Sequence, residues 1–179
     1  MVARFLLSTL PAFLLLMIVP SAFVFAVQQG DTSTLTITGT VVDAPQCTVN
    51  GNGVVTVNFG DDVEIHKLDG VSYKKTKLEY KMVCTGLAKP KLKVSVTGQQ
   101  AGFGSGLIYT NRTGLGIQLY HDSTPLNTGV TTVAATQVNF DYDGPGSEPL
   151  LYAVPVAQDG TRLTAGDFSG NGTLVIAYQ

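Results

Sequence analysis

Apolar and polar residues alternate along most of this chain, and Gly, Pro, Asn or Asp break the alternation roughly every eight to fifteen residues, while helical spacing is almost absent. That period places successive side chains on opposite faces of an extended strand, so the pattern predicts an all-β sandwich. Seven strands are predicted from Cys47 onward. Val55, Val57 and Phe59 mark the first, which ends at Gly60. Leu78, Tyr80, Met82 and Cys84 line one face of the second, with Lys77, Glu79 and Lys81 on the other. Leu92, Val94 and Val96 mark the third, Leu115, Ile117 and Leu119 the fourth, and Val138, Phe140 and Tyr142 the fifth. After the turn Gly144-Pro145-Gly146 come Leu150, Tyr152, Val154 and Val156, and the last strand carries Leu174, Ile176 and Tyr178.

The cleanest alternation lies upstream of all of these. From Thr32 to Val42, the residues Leu35, Ile37, Gly39 and Val41 alternate with threonines in a stretch without charge. Ala44-Pro45-Gln46 separates it from the body. Periodicity leaves two readings open: a first strand of the same sandwich, or a strand that adds to the exposed edge of another protein's sheet.

Residues 1–26 follow a different pattern. One charge, Arg4, precedes an apolar run from Phe5 to Phe25, which closes on Val24-Phe25-Ala26 with small residues at the positions a signal peptidase reads. Pro11 and Pro20 interrupt the run, so the expectation is a cleaved signal peptide rather than a membrane anchor. The 153 residues that follow contain no second apolar run of spanning length. Export also bears on the two cysteines. In an oxidising compartment Cys47 and Cys84 are expected to form one disulfide, a covalent staple rather than a metal site or a thiol nucleophile.

Composition narrows the function. Lys and Arg number 11 against 13 Asp and Glu, a net charge of −2, so the basic excess that holds nucleic acid is missing. With two histidines, and Ser105 in a glycine-rich turn, there is no arrangement for nucleophilic catalysis. Asp61, Asp62, Glu64 and His66 read as a solvent-facing stripe rather than metal ligands, so neither metal nor cofactor is expected. The lysines Lys74, Lys75, Lys77, Lys81, Lys89, Lys91 and Lys93 read as a solvated sheet face, and Tyr73, Tyr109 and Tyr120 as core or rim residues.

In their order along the chain, several of these features resemble one family, the pilin subunits of bacterial chaperone–usher fimbriae. They are the signal peptide, the alternating extension with Gly39 near its centre, Cys47 soon after it, and Cys84 closing a loop. A C-terminal motif completes the set: Gly166, then Phe168, Gly170, Gly172, Leu174 and Ile176 at alternate positions, with Tyr178 next to last. Gly114 to Leu119 and Pro125-Leu126-Asn127 are similar to minor, type 1-like subunits. The resemblance implies an incomplete immunoglobulin-like β-sandwich completed by a strand donated by a partner. It divides the chain into a signal peptide (1–26), a donor-strand extension (27–44) and a pilin domain (45–179). Leu35, Ile37, Gly39 and Val41 would be the donated residues. Gly166, Phe168, Leu174, Ile176, Tyr178 and Gln179 would border the acceptor groove. The implied partners are neighbouring subunits, a periplasmic chaperone, which would contact the carboxylate of Gln179, and an outer-membrane usher. The implied location is the cell-surface fimbria, reached through the periplasm, and the implied role is that of a minor or adaptor subunit supporting adhesion. The alternative is a secreted β-sandwich adhesin or lectin that binds a glycan or host protein through loops such as 99–113.

Overall fold

The computed structural model describes residues 35–39, 46–86 and 91–179. The chain divides into two units, Met1–Gly39 and Thr40–Gln179. The predicted signal peptide lies outside the described residues, as do Val41 and the Ala44-Pro45 junction.

In the second unit the alternating segments form ten strands, with two short 3-10 turns (Asn50–Asn52 and Ile65–Lys67) and no α-helix among the described residues. In order, these are β1 (Gln46–Val49), β2 (Thr76–Lys77), β3 (Met82–Thr85), β4 (Lys91–Gly98), β5 (Ile108–Tyr109), β6 (Leu115–His121), β7 (Thr124–Leu126), β8 (Val138–Asp141), β9 (Leu151–Ala157) and β10 (Gly172–Tyr178). They build three sheets in the orders β1-β3, β10-β4-β8 and β2-β9-β6-β5, with β7 on β6. Every ladder between these strands is antiparallel.

The core lies where the two larger sheets face each other. Val94, Val96 and Val138 from one sheet meet Ile108, Ile117, Leu119, Leu151 and Ala153 from the other. A smaller cluster of Met82, Leu92 and Tyr142 surrounds the Cys47–Cys84 disulfide, which joins directly opposed residues of β1 and β3. Beside it Tyr80 donates to the Pro149 carbonyl at 2.6 Å, and burial pushes its phenol well above the usual range. The outer side of the five-stranded sheet is covered by the loop after Asp69. The Asp69 carboxylate accepts backbone N–H bonds from Val71, Ser72 and Tyr73, and the Ser72 hydroxyl donates to it at 2.6 Å. These donors, Ser72 foremost, hold its pKa well below the usual carboxylate range. Tyr120 donates to the Gly70 carbonyl at 2.7 Å, and the Lys75 ammonium sits 4.9 Å from the rings of both Tyr120 and Tyr152.

Two sequence expectations are corrected. Val55, Val57 and Phe59 turn their side chains onto the core, but Val54–Phe59 is extended chain paired to no strand among the described residues. In β9 the core-facing residues are Leu151 and Ala153, one position out of step with the set that began at Leu150, which is 46% exposed. Both faces of β9 are covered, on one side by the opposite sheet and on the other by the Asp69 loop, so alternation there does not reveal which face is inward.

Candidate functional site

The absent pairing of Val54–Phe59 has a counterpart across the molecule. β10 is bonded through its whole length to β4, and among the described residues nothing forms a ladder on its other edge from Gly172 to Tyr178. The two segments flank one groove, apolar in its middle and mixed in lining towards both ends. At the Tyr178 end it opens into a chamber of about 620 Å³ lined by Gln46, Cys47, Val49, Leu92, Ile176 and Tyr178. A middle chamber of about 250 Å³ has Val55 and Val57 on one wall, Leu174 on the other, and Val96, Ile108 and Ile117 beneath. A third, of about 540 Å³, lies beyond Phe168 and is lined by Val63, Arg112, Leu115, Leu163 and Gly166. Between the second and third, Phe59 and Phe168 stack with ring centroids 5.8 Å apart and narrow the passage.

The sequence builds this wall for stated reasons. Gly170 and Gly172 bring the start of β10 against β5: a Cβ on Gly170 would lie 2.7 Å from the Tyr109 carbonyl oxygen, and one on Gly172 3.1 Å from Val96 and 3.3 Å from Ile108. Gly166 has φ +137°, which side-chain-bearing residues rarely adopt, and a Cβ there would lie 2.4 Å from the Arg112 guanidinium. Arg112 in turn donates to the Asp167 carbonyl at 2.7 Å. At the opposite end the Gln179 side chain donates to the Leu92 carbonyl at 2.8 Å and its backbone N–H to that of Lys91, tying the last residue to β4.

Leu174, Ile176, Tyr178, Phe168 and Gly166 thus all border the groove. Among the upstream residues, Leu35 and Ile37 are 80% and 83% exposed, and nothing lies within 4 Å of the place a Gly39 side chain would take. Val41 falls outside the described residues. Val55, Val57 and Phe59, which form the second wall, and Arg112, at the end chamber, are absent from the sequence-based site. The alternation of the former is legible, but whether a strand has a partner is not a local property. Four of the lysines resolve into separate local contacts: Lys74 with Asp62, Lys77 with Glu79 at 3.2 Å, Lys91 with Asp141 at 3.2 Å, and Lys75 on its two rings.

A family model described as fimbrial protein matches residues 35–179. The chain belongs to the fimbrial protein family. Two relatives from Escherichia coli K12 have similar sequences. The uncharacterized fimbrial-like protein YfcQ is 29% identical over 93% of this chain and 98% of its own length. The fimbrial-like protein YfcR is 30% identical over 78% of this chain and 77% of its own. Among solved structures, the P pilus rod subunit PapA matches with a TM-score of 0.59 at 21% identity, over 74% of this chain and 99% of PapA. A chaperone–usher pilus subunit matches at 0.58 and 22%, over 84% and 97% of the two chains. The P pilus adaptor subunit PapF matches at 0.50 and 23%, over 74% and 95%. The fold of this chain is therefore the incomplete immunoglobulin-like sandwich of pilus subunits. Its role is structural rather than enzymatic: it is a subunit that associates with other subunits in a cell-surface fimbria. Among the described residues no helix is long and apolar enough to cross a membrane.

Proposed function

We propose that this fimbrial subunit polymerises by strand donation: residues 27–44 of one subunit enter the groove of the next. The observation that carries the reading is the pair of edges unpaired among the described residues, β10 and Val54–Phe59, facing each other across a groove that is apolar in its middle. Such edges expose unsatisfied backbone groups and apolar surface, and one inserted strand would cover both. The exposed, uncharged segment carrying Leu35 and Ile37 has the matching chemistry. In an orientation antiparallel to β10, Leu35 and Ile37 fill the chambers along Leu174, Gly39 passes the Phe59–Phe168 stack, and Val41 enters the end chamber. Residues 1–26 serve as the export signal. A periplasmic chaperone covers the groove until the donor arrives, holding the Gln179 carboxylate, and an outer-membrane usher passes the subunit to the surface. The resemblance of Gly114 to Leu119 to minor subunits favours an adaptor position supporting adhesion.

The test compares two proteins by size-exclusion chromatography and thermal melting. One is the chain from Val27; the other begins at Ala44 and carries residues 27–43 after Gln179 through a flexible linker. A monomeric, far more stable fused form beside a self-associating or low-melting plain form is expected. A plain form that is already a stable monomer, unchanged by fusion, overturns the reading.

A further inference from the structure

The end chamber of the groove has a mixed lining, with Asn58, Asp61, Thr164 and Asp167 beside Val63, Leu115 and Leu163, and Arg112 is the one cation among its lining residues. Arg112 is half-buried there, packed against Gly166, with Nη2 donating to the Asp167 carbonyl. Its Nε is buried with no hydrogen-bond partner among the described residues. Among the described residues no carboxylate lies within ion-pair distance of the guanidinium, Asp61 and Asp167 of the same chamber included. A buried N–H without an acceptor is unfavourable, and a half-buried guanidinium pairs with a carboxylate through charge-assisted hydrogen bonds stronger than those to a neutral acceptor.

We infer that Arg112 is a specificity-determining residue of the groove, reading an acidic side chain on the strand that enters it, and that the occupant is the N-terminal segment of a second copy of this chain. The inference rests on the strand-donation reading. In that segment the residues on the inward face are Leu35, Ile37, Gly39 and Val41, and the next on the same face is Asp43. When Val41 occupies the end chamber, Asp43 lies about 7 Å further along the strand, within reach of a long arginine side chain at the chamber's mouth. Direction follows from where the body of each subunit must go. Gln46 borders the chamber at the Tyr178 end, so residues preceding it join the body at that end. A donor body leaving at the Arg112 end keeps clear of it, and the head-to-tail contact then repeats without closing. Asp31 shares the same face at the other end of the segment and would meet Arg112 only if the strand ran parallel to β10.

The experiment measures self-association of the chain from Val27 by sedimentation, for the parent and for Asp43→Asn, Asp31→Asn, Arg112→Met and the double variant Asp43→Asn with Arg112→Met. Asp43 precedes the disulfide-stapled body, so its substitution separates recognition from folding; circular dichroism checks the body in the Arg112 variant. The expected result is about a fivefold higher concentration for half-association in Asp43→Asn and in Arg112→Met, with the double variant no weaker than either single one. An unchanged Asp43→Asn overturns the inference, as does an effect carried by Asp31→Asn instead. A parent chain that does not self-associate also overturns it, and the donor-fused protein then decides separately whether strand donation itself stands.

Discussion

Replacing Gly39 with leucine tests the register of the inserted strand most directly. Gly39 is expected to pass the Phe59–Phe168 stack, whose centroids at 5.8 Å leave no space for a further side chain between the rings. Forcing leucine into a filled site costs about 1–3 kcal/mol. A leucine held there also lifts the strand that follows it, so burial of Val41 in the end chamber is lost, a further cost of about 1.5–3 kcal/mol. The sum is about 2.5–6 kcal/mol, and at about 2–4 °C per kcal/mol for a domain of this size the donor-fused protein should melt about 5–24 °C lower. The change lies in the donor segment, upstream of the disulfide-stapled body in the sequence. The assay is therefore the melting temperature of the fused protein with and without Gly39→Leu, with Thr38→Leu on the opposite face as control. A melt within about 2 °C of the parent, or an equal loss in the control, refutes the register.

Three further outcomes are expected. Gly166→Val should destabilise the donor-fused protein by about 2–4 kcal/mol in urea unfolding, since it combines φ +137° with a collision against Arg112. Met82→Ala, at a position with no solvent exposure, should cost about 2–5 kcal/mol in the same measurement. Asp69 sits below its ordinary pKa of 3.8 through its hydrogen bonds to Ser72, Val71 and Tyr73, so its contribution is fully present above that value and declines as pH falls through the lower folded value. In melts recorded from pH 5 downward, Asp69→Asn should accordingly lose less stability on acidification than the parent.

Much of the fold is legible in the sequence because strands with one wet face announce themselves. β4, with Leu92, Val94 and Val96 inward, and β10, with Leu174 and Ile176 inward, match their alternation. β9 does not, because its second face is roofed by the Asp69 loop, and a strand covered on both sides has no polar period to read. Phe168, Gly166 and Tyr178 were visible as a motif, but the wall opposite them was not. Val55, Val57 and Phe59 alternate like any strand, and only the sheet order reveals that no described strand pairs with them. Arg112 escaped notice because its significance depends on Gly166, more than fifty residues away in the chain.

Gly170 and Gly172 have one more consequence. By drawing the start of β10 down onto Ile108, they leave the middle of the groove floored by residues of the five-stranded sheet, Ile117 and Ile108 among them. A strand lying there rests on the centre of the core rather than on the rim of one sheet. It cannot peel away without baring that core, so its escape is tied to the opening of the sandwich. The working lifetime of such a joint is then set by an unfolding rate rather than by a dissociation constant, and at ordinary temperatures unfolding half-lives extend to days. On the strand-donation proposal, a fimbria held by such joints would persist at dilutions where an equilibrium between free and joined subunits would have emptied it.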